Sequence, residues 1–236
     1  LLTNLRDPKG GNHTFTYDDE GLLVRDEDPA GGSKTLTPTA TGTTLTTGMG
    51  RSRTYTFEEL PTGDQRRTFT DNAGLLTEGL VRQDGTTTQT SPDGTTTTVA
   101  VGPDPRWGMQ SALPKASTLR LPSGLTFGMT SNRSVTLANP GNPQTLLSQT
   151  DTLSVNGRTF TSVFTTADRR LVTTSPTGRQ WFQVLDSRGR VAEYHVPGLT
   201  PVLYEYDVRG RLAAVVRGTR SYAVGWDDQN RPRRLT

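Results

Sequence analysis

The sequence predicts an all-β fold built from repeated antiparallel hairpins, and three observations support this prediction. Threonine supplies roughly one residue in six, and its β-branched side chain fits a pleated sheet better than a helix. Apolar side chains do not keep helical spacing over a dozen residues, because glycine, proline or threonine interrupts nearly every window. A short motif with aspartate and glycine also recurs at a fixed period.

Alternating stretches predict the individual strands. In the first of them, threonines alternate with Phe15 and Tyr17, so the two kinds of side chain lie on opposite faces of the strand. In chain order, the clearest stretches are residues 14–17, 54–57, 159–163 and 202–206. Each predicts a strand with one polar, solvent-facing side and one apolar, packed side.

The recurring motif has a period of 20 to 21 residues. Near the C-terminus it reads L-D-S-R-G-R-V from Leu185, Y-D-V-R-G-R-L from Tyr206 and W-D-D-Q-N-R-P from Trp226. It returns as Y-D-D-E-G-L-L from Tyr17 and, less regularly, as T-D-N-A-G-L-L from Thr70. One further step places T-T-A-D-R-R-L in the same frame, with Thr166 at the aspartate position.

We predict that each motif core is a tight turn. Aspartate can accept a hydrogen bond from its own backbone two residues on, and glycine supplies a positive φ, which we expect at Gly189 and Gly210. The predicted structural core of the repeats comprises Tyr17, Asp18, Gly21, Asp71, Gly74, Asp186, Gly189, Tyr206, Asp207, Gly210, Trp226 and Asp227.

A second turn signal lies between the cores, where proline or aspartate is followed closely by glycine. Proline fixes φ at the first corner of a turn, and glycine accepts the positive φ that follows. The signal occurs at residues 7–10, 28–31, 91–94, 121–124, 175–178 and 196–198. Two turns per period leave room for two short strands, so each repeat is predicted to be a hairpin that pairs with the next hairpin in a winding sheet.

These motifs resemble the YD-repeat family, also called the RHS-repeat family. The string from Tyr204 to Leu212 is close to the family consensus Y-x-Y-D-x-x-G-R-L. The resemblance is clearest over residues 1–35 and 163–236, whereas repeats 36–162 are degenerate. In that middle region, residues 102–110 and 120–126 and the two D-G-T-T-T strings look like the shell portion of bacterial teneurin-like members.

The resemblance implies that residues 1–236 are one segment of a hollow shell of spiralling β-hairpins. Members of the family enclose a C-terminal polypeptide, often a toxin, so the implied partners are flanking repeats and a cargo of the same polypeptide. The implied location is secreted or on the bacterial cell surface. Because the chain begins in mid-repeat at Leu1 and ends on a repeat core at Thr236, we expect a longer protein and unpaired strand edges at both positions. The alternative is a cell-surface adhesion or carbohydrate-binding module built on the same repeats.

Catalytic chemistry is not predicted, and neither is a cofactor. The chain has no cysteine, and its two histidines, His13 and His195, flank turn motifs without a serine-hydrolase elbow. The carboxylate pairs at 18–19 and 227–228 are disfavoured as an acid and base, because adjacent strand residues point to opposite faces. We therefore expect ordinary repeat variation at these positions and a segment that is not an enzyme.

Binding sites for ions and nucleic acids are also not predicted. Residues 26–28 bring three carboxylates together but lack the spacing of a calcium loop, and residues 48–52 lack the lysine and the helix of a phosphate loop. The net charge is only +3 with the two signs interspersed, which disfavours nucleic acid. The cluster of Arg231, Arg233 and Arg234 is interpreted as a solvated strand end. No apolar run is long enough to insert into a membrane.

The aromatic residues fall at one phase of the repeat, which predicts a structural ladder of rings stacked from hairpin to hairpin rather than a sugar-binding stripe. The set comprises Phe15, Tyr17, Phe69, Phe164, Trp181, Tyr194, Tyr204, Tyr206, Tyr222 and Trp226. Trp107 lies outside any clear repeat and is expected to fill a sheet junction.

Overall fold

The computed structural model describes the backbone of residues 1–235 and the side chains of residues 1–233. These residues form 21 β-strands joined by turns, and they contain no helix. Accordingly, the described part of the chain has no helix that could span a membrane. The all-β prediction is confirmed.

The first eleven strands cover the N-terminal half. They are β1 (Asn4–Arg6), β2 (Asn12–Tyr17), β3 (Leu23–Glu27), β4 (Ser33–Thr39), β5 (Gly42–Thr47), β6 (Ser52–Glu59), β7 (Gln65–Thr70), β8 (Leu76–Val81), β9 (Thr87–Thr90), β10 (Thr96–Asp104) and β11 (Gly108–Arg120).

The remaining strands continue to the C-terminus. They are β12 (Thr126–Leu137), β13 (Leu146–Val155), β14 (Arg158–Thr165), β15 (Arg170–Thr174), β16 (Gln180–Leu185), β17 (Val191–His195), β18 (Val202–Tyr206), β19 (Leu212–Arg217), β20 (Arg220–Trp226) and β21 (Pro232–Leu235).

The chain divides into two compact units. The first contains Leu1–Val101 and Ser117–Phe127, and the second contains Gly102–Ala116 and Gly128–Thr236. In the first unit, each strand from β1 to β10 pairs antiparallel with the next one in sequence. In the second unit, β12 to β21 pair in the same consecutive way. Each unit is therefore a meander of hairpins, as the repeat predicts.

The strand registers give the first unit an aromatic face and a hydroxyl face. In the first unit, Tyr55 lies opposite Phe69, whereas the neighbouring Thr56 lies opposite Thr68 on the other face. Hydroxyl groups on that second face bond across strands, as in the pair Thr56 and Thr68, whose Oγ1 atoms are 2.6 Å apart. In the second unit, one face carries Phe164, Trp181, Tyr194, Tyr204, Tyr206, Tyr222 and Trp226.

Neither unit has a conventional hydrophobic core. Among the residues whose side chains are described, only Gly102, Asp104 and Ala214 are buried. Most strand residues are half-buried, because each sheet is a single layer with two accessible faces. Stability therefore rests on ladder hydrogen bonds, turns and contacts within each face.

Candidate functional site

One turn geometry accounts for the core turns and for five of the six places of the second turn signal. In this geometry the first residue donates its N–H to the carbonyl four residues on, and the fourth residue donates its N–H back to the first carbonyl. The arrangement is a type I turn closed by a residue at positive φ. It occurs at residues 7–10, 18–21, 28–31, 47–50, 60–63, 71–74, 82–85, 91–94, 121–124, 175–178, 186–189, 207–210 and 227–230. The sixth place of the second signal, at residues 196–198, makes a different turn, in which Leu199 N–H donates to the Val196 carbonyl and the positive φ lies at Gly198, the third position.

Aspartate at the first position braces this turn with its side chain. Asp207 Oδ1 accepts hydrogen bonds from the N–H groups of Arg209 at 3.0 Å and Arg211 at 2.9 Å. Bonds of the same kind form at Asp7, Asp18, Asp28, Asp71, Asp186 and Asp227. The predicted bond to the residue two positions on is present, and a second bond four positions on accompanies it.

Positive φ occurs at the fourth position, as predicted for Gly189 (77°) and Gly210 (86°). Asn230 occupies the equivalent position with φ of 61°. Asparagine tolerates this conformation better than most residues with a Cβ atom. The W-D-D-Q-N-R-P core thus makes the same turn without glycine.

A β-bulge distinguishes the YD cores from the other turns. The register shifts where Tyr17, Leu185, Tyr206 and Trp226 meet the second strand of their hairpins. Tyr206 lies opposite Leu212, but Glu205 lies opposite Ala214, so Ala213 is the extra residue. The core at Asp71 makes the turn without the bulge, since Thr70 faces Leu76 and Phe69 faces Thr77.

An arginine that follows the turn residue pairs with the core aspartate. Arg190 Nε donates to Asp186 Oδ2 at 2.7 Å, and Arg211 Nε donates to Asp207 Oδ2 at the same distance. Arg231 and Asp227 repeat this contact at 2.7 Å. The cores at Asp18 and Asp71 have leucine at the arginine position and lack the pair.

Two of these arginines contact the aromatic residue of the next core. The guanidinium carbon of Arg190 lies 4.1 Å from the ring centroid of Tyr206, and that of Arg211 lies 5.3 Å from the ring centroid of Trp226. Both distances are within the range of a cation–π interaction. These two Asp–Arg pairs thus link their own repeats to the following ones.

The aromatic side chains also bond back to the preceding core. Tyr206 Oη donates to the Val191 carbonyl at 2.8 Å, and Trp226 Nε1 donates to the Leu212 carbonyl at 2.8 Å. Both carbonyls belong to residues at the bulges, where the regular ladder is interrupted. Near the N-terminus, Tyr17 Oη donates to the Leu2 carbonyl in the same way.

The predicted ladder of stacked rings is wrong in its contacts. The predicted aromatic set does share one face within each unit, but among residues 1–233 ring–ring contacts occur only between Tyr55 and Phe69 and between Phe182 and His195. Neighbouring repeats are linked by arginine and backbone carbonyl groups instead. At two repeat boundaries the ring contacts a guanidinium group of the preceding repeat.

The core carboxylates are stabilised in their charged form. Hydrogen bonds from the Arg190 side chain and backbone lower the pKa of Asp186 to about 2. At Asp207, partial desolvation acts to raise the pKa, but hydrogen bonds from the Arg211 backbone and side chain outweigh it and lower the pKa. At Asp227, backbone and side-chain bonds from Arg231 also lower the pKa. The ion pairs therefore persist across the physiological pH range.

An ion triad with one buried member, Asp104, lies outside the repeat frame, in the second unit. Asp104 is 3% exposed and accepts hydrogen bonds from the backbone N–H of Arg106 at 2.7 Å and of Trp107 at 3.1 Å. Its other oxygen accepts from Arg133 Nη1 at 3.0 Å, while Arg133 Nε donates to Asp151 Oδ1 at 2.6 Å. Desolvation opposes the charge on Asp104, but these bonds lower its pKa. The triad fixes the 102–110 segment against β12 and β13.

Trp107 is 40% exposed, and the guanidinium carbon of Arg106 lies 5.2 Å from its ring centroid. Arg106 Nε donates to the Pro143 carbonyl at 2.8 Å. The ring therefore covers the turn beside the triad rather than filling a closed junction, which corrects the expectation from the sequence.

The assignment of Thr166 to the aspartate position of a repeat core is wrong. Thr165 pairs with Arg170, and the Thr166 N–H donates to the Leu147 carbonyl instead of closing the core turn. Arg169 keeps the positive φ at 51°, but Asp168 makes the side-chain contact, since the Thr165 hydroxyl donates to it at 2.6 Å. Without aspartate at the first position, the loop adopts another geometry.

The disfavoured chemical candidates occupy structural positions. The His195 ring stacks on Phe182 with a centroid distance of 4.2 Å, and its Nε2 lies 2.7 Å from Glu193 Oε2. Asp28 braces a turn, whereas Asp26 lies 3.5 Å from Lys34 Nζ. No group of three or more metal-ligating side chains comes together within the described residues.

In the 48–52 segment, the backbone N–H groups are used within the protein. Gly48 donates to the Ser33 carbonyl at 2.7 Å, Gly50 donates to the Thr47 carbonyl at 2.9 Å, and Arg51 donates to Thr47 Oγ1 at 3.2 Å. A phosphate loop needs free N–H groups that converge on an anion. This segment therefore has the geometry of a turn.

The arginines of both networks were not among the residues predicted from the sequence. Arg190, Arg211 and Arg231 stand directly after the turn residue in three successive cores, so their repetition in the sequence was a usable signal. Arg133 had no such signal, because its partners Asp104 and Asp151 are far apart in sequence.

Comparison with solved structures gives only low structural similarity. A porin-like protein from Bacteroides uniformis has a TM-score of 0.28 and 15% identity, covering 84% of this chain and 84% of that chain. The TCP10 domain of CPAP from Danio rerio has a TM-score of 0.22 and 17% identity, covering 82% of this chain and 99% of that chain. At these scores the overlaps support no functional conclusion.

The Tc holotoxin pore of Photorhabdus luminescens is also similar, with a TM-score of 0.22 and 10% identity. The match covers 95% of this chain but only 18% of that toxin chain. No curated protein sequence matches significantly. In contrast, the family model of the teneurin YD-shell matches residues 1–236.

Proposed function

This chain belongs to the teneurin YD-shell family, and from that premise we propose that it is a wall segment that encloses a polypeptide cargo within the same longer protein. In this proposal residues 1–236 act as one structural segment whose partners are flanking repeats and a C-terminal cargo. The cargo is a toxin, and the protein is secreted or displayed on the bacterial surface. The segment itself is not an enzyme.

The observation that supports this proposal best is the absence of a core in a well-ordered sheet. Ala214 is the one buried hydrophobic residue among those with described side chains. A compact globular domain hides many apolar side chains, whereas a wall needs a sheet that is continuous and accessible on both faces. The links between repeats make such a sheet continuous without a second layer.

The contacts of Arg190 and Arg211 support a continuous wall within the second unit. Each arginine joins an aspartate of its own repeat to an aromatic ring of the next, so neighbouring hairpins cannot separate without losing both contacts. The proposed mechanism is steric: a protease or a target outside the wall does not reach the cargo.

Limited proteolysis of the longer protein tests the enclosed-cargo function. We expect the C-terminal cargo to be protected in the wild type and to be cleaved when residues 163–236 are deleted. A double variant, Arg190→Ala with Arg211→Ala, should also increase cleavage because it weakens the links between repeats. The matched control is Arg188→Ala with Arg209→Ala, which removes two arginines at the exposed turn positions. Equal cleavage of the cargo in the wild type and the deletion variant would refute the proposal.

The non-enzymatic role has its own test. Replacement of His13 and His195 by alanine should leave any activity of the longer protein unchanged. Loss of activity in either variant, with an unchanged dichroism spectrum, would point to chemistry in this segment.

A second candidate function is adhesion to carbohydrate at the cell surface. It is favoured by Tyr55 and Phe57, which are exposed on one face beside Phe69. Exposed rings on a sheet can stack on sugar rings. A glycan array probed with the wild type and Tyr55→Ala distinguishes this candidate: binding that depends on Tyr55 supports adhesion.

A further inference from the structure

The hairpin turns of the second unit lie at two ends of its strands, and the two ends differ in charge. At one end the core turns contain aspartates, two of which pair with Arg190 and Arg211. At the opposite end, four exposed arginines lie at the turns that join β13 to β14, β15 to β16 and β19 to β20; this arginine row comprises Arg158, Arg179, Arg217 and Arg220. None of the four forms an ion pair within the described residues.

The sequence around the arginine row supplies few carboxylates. Residues 152–167, 169–185 and 208–226 contain no aspartate or glutamate. Strand β17 does carry Glu193, but its Oε2 lies 2.7 Å from Nε2 of His195. Turns at one end of a meander are two strand spacings apart, which is about 10 Å. This end of the strands therefore presents positive charge at successive positions along the sheet.

A small apolar recess interrupts the arginine row at the turn that joins β17 to β18. Its volume is about 110 Å³, and it is lined by Tyr194, Val196, Leu199, Thr200, Val202 and Arg217. Leu199 is 55% exposed. Arg179 lies at the preceding turn on this end of the strands, whereas Arg217 and Arg220 lie opposite each other at the following turn. Positive charge thus lies on both sides of a recess that has room for one aliphatic side chain.

We propose that the arginine row binds an acidic segment of polypeptide in extended conformation, with one aliphatic side chain in the recess and carboxylates on the arginines to either side. An extended chain advances about 3.3 Å per residue, so the distance of about 10 Å between turns corresponds to three residues. The ligand therefore carries acidic residues about three positions before and after an aliphatic one. Guanidinium groups can hold a carboxylate through two parallel hydrogen bonds. This binding does not depend on the enclosed-cargo function, because the arginine row is the same with or without a cargo.

The recess favours a peptide over other anionic polymers. The phosphates of a nucleic acid or the acidic groups of a polysaccharide would meet the arginines, but these polymers have no aliphatic side chain to place among Val196, Leu199 and Val202. The acyl chains of an anionic lipid are too long for a recess of about 110 Å³. The combination of flanking charge and one small apolar recess therefore points to a polypeptide.

Fluorescence anisotropy with the full chain tests this surface. The probe is a fluorescein-labelled peptide, E-E-S-S-L-S-S-E-E, titrated at about 0.15 M salt, where charges at the far end of the strands are screened. Arg179→Ala with Arg220→Ala should weaken binding at least about fivefold, because two charged contacts are lost. The matched control, Arg188→Ala with Arg209→Ala, removes two exposed arginines from the core turns and should change the affinity less than about twofold.

Two further peptides separate the charge from the recess. Replacement of the leucine by serine should weaken binding to the wild type at least about threefold, but it should have little effect on binding to Leu199→Ser, as expected for two groups in contact. Replacement of the glutamates by glutamine should remove measurable binding. Circular dichroism of each variant verifies the fold.

Three outcomes would overturn the proposal. The first is no binding of the glutamate peptide to the wild type, and the second is the same affinity for the two double variants. The third is binding of an oligothymidylate that depends on Arg179 and Arg220 but not on Leu199, which would identify a general site for anionic polymers.

Discussion

Single residues determine the turns through two properties, a positive φ at the fourth position and an acceptor side chain at the first. Gly210 illustrates the first property, because a Cβ atom there would lie 3.1 Å from Arg190 Nη1 in addition to the cost of its φ of 86°. Asp186 illustrates the second, since one carboxylate satisfies two backbone N–H groups and an arginine.

Valine substitutions test the backbone requirement. Gly189→Val and Gly210→Val should each lower the free energy of unfolding by more than about 1 kcal/mol, because valine resists positive φ. The loss should be larger at Gly210, where the new side chain meets Arg190, than at Gly189, which has no atom within 4 Å of a Cβ position. Gly79→Val is the control, since Gly79 lies in a strand without positive φ. Urea denaturation gives the three values, and an unchanged Gly210→Val protein would contradict the turn assignment.

The carboxylate at Asp186 predicts a pH dependence. Its pKa falls from 3.8 to about 2 in the folded chain, so its stabilising effect is complete above pH 3.8 and is lost as the pH falls toward 2. Thermal denaturation between pH 6 and pH 2 should therefore show a smaller acid-induced decrease in Tm for Asp186→Asn than for the wild type. Asp228→Asn is the control, because Asp228 lies in the core turn at residues 227–230 and makes no side-chain hydrogen bond in the described structure; this variant should follow the wild-type curve.

At the scale of elements, hairpins are joined by three kinds of contact: the backbone ladder, the Asp–Arg–aromatic link and the bond from the ring to a bulge carbonyl. The bulge and the aromatic residue of the next hairpin form one contact. A bulge leaves a carbonyl outside the regular ladder, and the O–H or N–H group of the next aromatic side chain donates to that carbonyl. The Asp104–Arg133–Asp151 triad holds the 102–110 segment, which lies outside the repeats, against β12 and β13.

Removal of one hydroxyl group tests the bond to the bulge. Tyr206→Phe keeps the ring over Arg190 but loses the donor to the Val191 carbonyl, so it should cost about 0.5–1.5 kcal/mol of unfolding free energy. Tyr204→Phe removes a hydroxyl from the same strand and the same face, where no such bond forms among the described residues, and it should be nearly neutral. Equal effects of the two substitutions in urea denaturation would argue against the assigned role.

Disruption of the triad should be more costly. Arg133→Met leaves Asp104 buried without its cation, and breaking a buried ion pair costs about 3 kcal/mol. Arg158→Met removes an exposed arginine from β14 and is expected to have little effect. If the two variants had the same midpoint in urea, the triad would not be structurally important.

Sequence reasoning predicted the hairpins and the core turns because these depend on local chemistry. Asp207 and Gly210 lie within one turn, so their spacing reveals the contact. It did not predict the link from Arg211 to Trp226, because that contact depends on how one hairpin lies against the next. It also missed Arg133, since Asp104 is brought to it by the register of long strands rather than by a motif.

At the scale of the whole molecule, each hairpin contacts mainly its neighbours, as expected for repeat proteins. Local damage should therefore stay local within a unit. The two faces of the first unit differ in chemistry, because Tyr55 and Phe69 lie on one face and the bonded pair of Thr56 and Thr68 lies on the other. In the second unit the faces are mixed, since the bonded hydroxyls of Ser162 and Thr173 share the face of Phe164 and the ring of Phe182 lies on the opposite face.

Hydrogen exchange tests this local behaviour. Gly210→Val should accelerate amide exchange in β17 to β20 of the second unit while leaving β13 and β14 of the same unit at wild-type rates. The reason is that the substituted turn joins β18 to β19 and contacts Arg190 of the preceding repeat. Uniform acceleration throughout β13 to β20 would show instead that the unit unfolds as one cooperative block.

The scarcity of buried apolar side chains has a calorimetric consequence. The heat capacity of a protein rises on unfolding mainly because apolar surface becomes hydrated, and typical domains gain about 12–15 cal/mol/K per residue. Most strand side chains of this chain are only half-buried and Ala214 is the one fully buried hydrophobic residue described, so unfolding exposes less apolar surface per residue than it does in a globular domain. The heat-capacity increase on unfolding should therefore lie below that range. As a result, the free energy of unfolding should vary little with temperature, and cold denaturation should occur only far below freezing.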